Sequence, residues 1–343
     1  NGSMTNKTDN STNNQVQRIS DQALSFSFGE PEQISNWADM IGTFYDSLGE
    51  YYSPPISPKG LDTLTRANGV HRRCINFKVN QMAIVFVQNG LMSLRDFRRC
   101  ARDLESFGNF YIKVLRNGFK QITRVVHVPA LNMRKGKNNK FKLIQSNGPD
   151  VEFVPGEILH GFHYDTGQDI YGIPEWIGSL HDVFLNSEAT LFRRRYYKNG
   201  SHLGYILYTS DPSLDKDVEE NLRKTIAAGK GAGNFKSMFI NIPNGKEKAV
   251  QIIPVGDISQ KDEFERVKNI SADDILIGHG VQASLAGMKP DNVGGFGDIE
   301  KAERFYRNNE VRALVQPFLE LNDELEGKRF EFNFELNTAT GNV

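Results

Sequence analysis

The sequence predicts an α+β protein, and three observations carry that expectation. A hairpin signal, Asn117-Gly118, separates two runs rich in β-branched and aromatic residues, Asn109–Leu115 and Phe119–Val128. Two long helical patterns, Glu175–Lys198 and Ser259–His279, bracket a smaller block of strand-like runs. A third helical pattern, Asp298–Leu325, contains Pro317 and is followed by the alternating Phe330–Phe334.

Composition narrows the function classes. The chain has 343 residues, 38% of them hydrophobic and 24% charged, which suits a folded protein with one large or two medium cores. No apolar run approaches a membrane span, so no membrane partner is expected. Cys74 and Cys100 are the only cysteines, too few for a disulfide framework and suited to a reducing compartment. The 41 basic and 42 acidic residues leave a formal charge of −1. Proteins that grip duplex DNA are usually strongly basic, because affinity comes from neutralised phosphates. Any contact with nucleic acid here is therefore brief, local, or one of passage.

The first residues, Asn1–Gln17, are polar and are expected to be disordered. Phe26 to Tyr45 then carry apolar residues whose spacing suits a helix starting near Ser35, with Pro54-Pro55 ending any regular structure. Leu61–Val79 and Ser93–Phe107 read as helices. In the second, Ser93 with Asp96 three residues on forms a cap pattern, and Phe97, Cys100, Leu104 and Phe107 form the apolar stripe. Strands are expected over Lys140–Gln145 and Glu157–Phe162. Between Ser106 and Pro149 there are no acids but nine Lys or Arg residues. This is either an anion-facing patch or a solvated basic hairpin, and the second reading is favoured.

Gly172-Ile-Pro174 precedes the helix Glu175–Lys198, which ends in Arg193, Arg194, Arg195 and Lys198 before Asn199-Gly200. Basic residues in a last turn complement the helix dipole, and that explains them at least as well as DNA contact does. Leu203–Tyr208, Met238–Ile242 and Val250–Val255 read as strands and Leu214–Ala228 as a helix. Together they make a small α/β module. In the helix after Ser259, the run Ser271-Ala-Asp-Asp274 resembles a cap that restarts it. Gly280–Asp298 holds five glycines and Pro290. Loops of that length inside a folded chain are usually functional or disordered.

Enzyme signals are weak. Gly229-Lys-Gly-Ala-Gly233 and Gly294-Gly-Phe-Gly297 lack the Gly-Lys-Ser/Thr ending of a phosphate loop. His160 and His163 fall on opposite faces of a strand, so with Asp165 they make a poor metal set. No nucleophile elbow appears. We expect no enzyme activity, no catalytic residue, no metal and no cofactor.

A set of motifs in order is more specific. It comprises Ser25-Phe-Ser-Phe-Gly-Glu-Pro31, Pro54-Pro-Ile-Ser57, Tyr171-Gly-Ile-Pro-Glu175 and Phe192-Arg-Arg-Arg-Tyr-Tyr-Lys-Asn-Gly-Ser-His-Leu-Gly-Tyr-Ile-Leu-Tyr208. It continues through Gly233-Asn-Phe-Lys236, Pro243-Asn-Gly-Lys246, Gln251-Ile-Ile-Pro254, Lys261-Asp-Glu-Phe264, Asn292-Val-Gly-Gly-Phe-Gly-Asp-Ile-Glu-Lys301 and Leu319-Glu-Leu-Asn322. The set resembles portal proteins of the PBSX type, from contractile-tailed temperate phages. The family usually has Val-Pro where this chain has Val281-Gln282, and a basic residue at Gly280, so a more flexible start to the loop is expected.

The resemblance implies a ring of about twelve subunits at one capsid vertex. Residues 1–24 would be a disordered segment, 25–174 an α+β wing, 175–198 the first stem helix and 199–258 the clip. The second stem helix would be 259–279, the tunnel loop 280–297, and 298–343 a kinked helix with a closing strand of the wing. Too little chain follows for a large crown. Gly287, Met288, Lys289, Asn292, Gly294, Gly295 and Phe296 would line the DNA channel. Arg193, Arg194, Arg195, Lys198, Lys230 and Lys236 would make stem or clip contacts. The implied partners are other copies of the chain, double-stranded DNA passing without sequence readout, the terminase large subunit, head-completion or adaptor proteins, and capsid and scaffold proteins. The implied location is the virion, with the host cytoplasm during assembly. Two other classes compete: another oligomeric phage tail or adaptor protein, and a nucleotide-dependent nucleic-acid enzyme using the glycine loops.

Overall fold

A computed structural model of the chain describes residues 43–198, 205–209, 238–241, 250–254, 260–287 and 299–335. They fall into two compact units, one of the described residues up to 63, 82–174 and those from 314 on, the other of 64–81 and the described residues between 175 and 313. In chain order the elements up to the first unit's sheets are β1 (Tyr45–Asp46), β2 (Tyr51–Tyr52), α1 (Pro58–Ala67), α2 (Gly69–Val85) and α3 (Leu94–Phe107). The sheet strands are β3 (Asn109–Arg116), β4 (Ile122–Val128), β5 (Met133–Lys135), β6 (Phe141–Leu143), β7 (Val151–Phe153) and β8 (Ile158–Phe162).

The expected helix through Phe44 and Tyr45 is not what forms there. Tyr45 pairs with Tyr52 across an antiparallel hairpin, their rings 5.0 Å apart, while the rest of that pattern lies outside the described residues. α3 forms as predicted. The Ser93 hydroxyl accepts from the Asp96 N–H, and Gly108 ends the helix in the left-handed region at φ 72°. Sheet order is β4-β3-β8 in one three-stranded antiparallel sheet and β5-β6-β7 in another. The β3–β4 turn is longer than the Asn-Gly pair implied. Asn117 Oδ1 accepts from the N–H groups of Phe119 and Gln121, and the residue at positive φ is Lys120. The aspartate-like bonding of Asn117 fixes the turn, so Gly118 need not take the left-handed role.

Aromatic rings fill one core of this unit. Phe86 stacks on Phe97 at 4.1 Å and Phe110 on Phe318 at 4.2 Å, with Phe330 and Phe332 closing the group. Phe332 makes a single bridge to Phe86 in place of the expected Phe330–Phe334 strand. A second core gathers Tyr111, Val128, Ala130, Met133, Phe141, Phe153 and Ile158. The basic stretch is partly paired with acids from elsewhere in the unit: Lys142 with Glu152 at 3.0 Å, Arg116 with Glu326 at 2.6 Å, and Lys113 with Glu157 at 3.9 Å. That geometry favours the solvated-hairpin reading. His160 stacks on Tyr111, its Nε2 2.9 Å from Asn109 Oδ1, and the desolvation of its ring holds its pKa well below 6.5. Among the described residues no His, Cys, Asp and Glu group is arranged to hold a metal ion.

In the second unit a 3-10 turn, Glu175–Ser179, leads into α4 (Leu180–Lys198). Next come β9 (Tyr205–Thr209), β10 (Met238–Asn241) and β11 (Val250–Pro254), in the order β10-β9-β11, with β9 parallel to β10 and antiparallel to β11. The expected helix at 214–228 lies outside the described residues. α5 (Gln260–Gly278) is continuous through Ser271, so that residue is no cap. Its hydroxyl instead accepts from Asn186 Nδ2 at 3.0 Å and donates to the Lys268 carbonyl. α6 (Ile299–Tyr306) continues into a π-helical turn, Arg307–Val311. The predicted kink at Pro317 takes a different form. The helix stops at Val315 and a new one, α7 (Gln316–Glu320), begins with Pro317 in its first turn, where a missing N–H costs nothing.

Candidate functional site

The described geometry nearest the expected channel loop is its base, where α5 ends. Helices α4 and α5 run antiparallel: Asn186 Nδ2 donates to the Lys268 carbonyl at 3.0 Å, while Ser179 near the start of α4 meets Asp274 and Gly278. Gly278 has no side chain because the space belongs to Ser179, whose Cβ would stand 2.6 Å from any Cβ there.

Gly280 terminates α5 with φ 61°. Its N–H donates to the Ile277 carbonyl and that of Val281 to Leu276, both at 2.9 Å, the paired bonds of a Schellman motif. Val281 and Leu276 are both buried, supplying the apolar contact that accompanies the motif. The expected loose start of the loop is therefore corrected: glycine at 280 supplies a left-handed residue that fixes it. Gln282 to Gly287 then turn tightly, and Gly287 ends the described stub at φ 70°.

Two contacts from α2 clasp this stub. Arg73 Nε donates to the Ala286 carbonyl at 2.9 Å, and its guanidinium stands 3.3 Å from where a Gly287 Cβ would lie. His71 Nδ1 lies 2.8 Å from His279 Nε2, with Trp176 edge-on to His71 at 4.2 Å and stacked on His279 at 5.9 Å. Burial lowers the His71 pKa to about 3 and holds that of His279 well below 6.5, with the charges of His71 and Lys78 adding to the second effect. Both rings are neutral at ordinary pH, and one N–H bridges them. Upstream, Asn68 breaks the helix expected over Leu61–Val79 into α1 and α2. Its Oδ1 caps α2 by accepting from the His71 N–H, while Nδ2 reaches the Val183 carbonyl, Asn186 and Ser187 on α4.

Of the channel residues expected from sequence, Gly287 sits at the end of this stub, and Met288, Lys289, Asn292, Gly294, Gly295 and Phe296 lie outside the described residues. Arg193 is half-buried and Arg194 exposed near the end of α4, which also contains Arg195 and Lys198; Lys230 and Lys236 lie outside the described residues. Sequence reasoning missed His71, His279, Trp176, Asn68 and Arg73. The histidines are 208 positions apart and follow no motif, so only the fold joins them.

The sequence model of the phage portal protein family matches residues 86–340. The chain is 35% identical to the probable portal protein of Escherichia phage P2 over 91% of this chain and 92% of that one. It is 34% identical to the probable portal protein of Haemophilus phage HP1, over 90% and 91%. Among solved structures it is similar to a chain in the neck of a native gene transfer agent particle computed with C12 symmetry. That match has 16% identity and a TM-score of 0.59 over 82% of this chain and 86% of the other. It is also similar to an HK97-family phage portal protein from Corynebacterium diphtheriae, with 12% identity and a TM-score of 0.56 over 80% and 94%. With fold and sequence in agreement, the chain belongs to the phage portal protein family.

Proposed function

We propose that this protein is the head–tail connector of a phage, assembling as a ring of about twelve copies at one capsid vertex through which double-stranded DNA is packaged and ejected. The observation that carries the reading is the antiparallel α4–α5 pair, with the loop that leaves α5 clasped at its base by Arg73 and the His71–His279 pair. A fixed base gives a channel loop a defined starting direction. In this reading the first unit is the wing, α4 and α5 are the stem, and the β9–β11 block belongs to the clip. The PBSX-type grouping rests on the motif set alone.

The near-neutral balance, 41 basic against 42 acidic residues, supports passage over capture. DNA carries a charge about every 1.7 Å, and a strongly basic bore would hold it when it must slide. Cyclic symmetry turns one Lys289 per copy into a belt of positive charge, enough for contact without a tight grip. The clip docks the terminase large subunit first and head-completion or adaptor proteins later, and the separate terminase supplies the energy of translocation. Capsid and scaffold proteins surround the ring, in the host cytoplasm during assembly and in the virion afterwards.

Mass measurement with negative-stain imaging of the purified chain tests the ring. Closed rings with a central hole support it, and a stable monomer that hydrolyses nucleotide points to the enzyme reading. Deleting Met288–Val293 should leave rings that assemble but package or retain DNA poorly. Normal packaged-genome yield from such rings removes the channel loop from the mechanism.

A further inference from the structure

In the first unit, α3 presents an arginine stripe on its outer face. Arg95, Arg98, Arg99 and Arg102 recur at steps of three and four residues, so they share one side of the helix. Phe97, Cys100, Ala101 and Leu104 hold the opposite side and are buried. Arg95, Arg98 and Arg99 are exposed, and Arg102 is half-buried. The acids of the same helix have other tasks. Asp96 accepts from the Ser93 hydroxyl at 2.8 Å and meets Arg99 only at 3.5 Å. Asp103 accepts from the Ala130 N–H and meets His127 Nε2, both at 2.8 Å, and Glu105 is buried. In the basic stretch that follows α3, by contrast, Lys113, Arg116 and Lys142 each face a carboxylate.

The complementary charge is in the same chain. After Arg18 the next basic residue is Lys59, and residues 19–42 hold Asp21, Glu30, Glu32 and Asp39 with no Lys or Arg. That segment lies outside the described residues, and it joins them beside the end of α3. The Phe44 carbonyl accepts from the Ser53 N–H at 2.8 Å, and Pro54 and Pro55 line one small cavity with Phe107, the last residue of α3. From Phe107 back to Arg95 the helix runs about 18 Å at 1.5 Å per residue. The eleven residues from Glu32 to Thr43 can span about 36 Å, twice the length of the stripe. Single exposed ion pairs contribute little, but a tether holds the acids at about millimolar effective concentration, where several weak pairs act together. We propose that residues 30–39 of this chain dock on the arginine side of α3, Asp39 toward Arg102 and the Glu30–Glu32 pair toward Arg95, Arg98 and Arg99. Arginine also suits phosphate, but DNA would have to displace an acidic segment tethered beside it.

The test uses the full chain at low salt. Chymotrypsin cleavage after Trp37, followed by mass spectrometry, reports whether the segment is held. In Arg98→Glu with Arg99→Glu that bond should be cut at least tenfold faster than in the wild type, with unchanged helical circular dichroism. Glu30→Arg with Glu32→Arg should be cut equally fast. Combining the two charge reversals pairs opposite charges again and should restore most of the protection, which a misfolded variant could not do. Salt at about 0.5 M should erase the difference between wild type and variants, since exposed pairs are screened. Equal cleavage rates in wild type and the Arg98/Arg99 variant, or no recovery in the combined variant, overturn the proposal. So does protection that is lost in dissociated subunits, since a neighbouring copy's segment would then be the occupant. An unprotected wild-type segment, with binding of a duplex of about 20 base pairs weakened tenfold by Arg98→Glu with Arg99→Glu, overturns it in favour of phosphate.

Discussion

His71 Nδ1 and His279 Nε2 meet at 2.8 Å in the interior of the second unit, although α2 and the end of α5 are far apart in the chain. Each ring has a second nitrogen buried without a hydrogen-bond partner, so neither gains by protonation. The folded-state pKa of His71 is lowered from 6.5 to about 3, and that of His279 is lowered as well. An unfolded chain therefore binds more protons than the folded one below pH 6.5. The stability carried by the neutral pair is fully present above about pH 6.5 and is lost as the pH falls toward about 3. The slope can reach about 1.4 kcal/mol per pH unit for each histidine. Urea unfolding followed by Trp176 fluorescence, in a Trp37→Phe background, should show this acid limb. His71→Gln with His279→Gln should flatten it, and an unchanged slope in that variant would locate the acid sensitivity elsewhere.

Local signals in the sequence matched the structure where a short-range interaction decides the outcome. The Ser93 cap of α3 needs only Asp96, and the helices expected over 175–198 and 259–279 form over Leu180–Lys198 and Gln260–Gly278. The expectation failed where a distant group decides. Asn68 ends α1 because its amide bonds across to α4, and Ser271 stays mid-helix because Asn186 occupies its hydroxyl. Pro317 begins a helix in place of bending one, since the chain has already broken at Val315. The candidate site divides the same way. Gly287 was legible as part of a glycine-rich loop, whereas Arg73, His71 and His279, which hold its base, had no pattern to announce them.

Gly278 offers a sharp packing test. Any Cβ at this position would overlap the Ser179 hydroxyl and stand 2.6 Å from Ser179 Cβ. Gly278→Ala should destabilise the second unit by about 1–3 kcal/mol despite the better helix propensity of alanine. Ser179→Gly removes both colliding atoms, so the double variant should recover much of the loss, a coupling visible in a double-mutant cycle by thermal unfolding. Strict additivity would show that the two positions do not share this space.

Gly172 makes the corresponding point in the first unit. Its N–H donates to Asn109 Oδ1 at 2.7 Å and its carbonyl accepts from Asn109 Nδ2 at 2.8 Å, which seats it flat against its neighbours. A Cβ there would collide with the Gly108 carbonyl oxygen and lie 2.7 Å from the His163 carbonyl oxygen, and backbone cannot step aside as a side chain can. Gly172→Ala should cost about 3 kcal/mol and lower the melting temperature, while Gly118→Ala, with nothing within 4 Å of its Cβ, should be close to neutral. Equal losses at both positions would mean that the tight approach is not what fixes Gly172.

Asn68 separates capping from cross-linking within one side chain. Its Oδ1 caps α2 through the His71 N–H at 3.0 Å, and its Nδ2 donates toward the Val183 carbonyl and Asn186 Oδ1 at 3.1 Å each. Asn68→Ala removes both functions and should cost about 2–3 kcal/mol, the sum of a lost cap and buried acceptors left unpaired. Asn68→Asp keeps the cap but turns the donor into a carboxylate oxygen facing two oxygen acceptors in a buried site. If the cap dominates, the aspartate variant should be the more stable of the two. If the link to α4 dominates, as the burial of Asn68 and Asn186 argues, aspartate should be at least as damaging as alanine, and more so as the pH rises above the carboxyl pKa. Unfolding curves of both variants at pH 5 and pH 8 decide between the two outcomes.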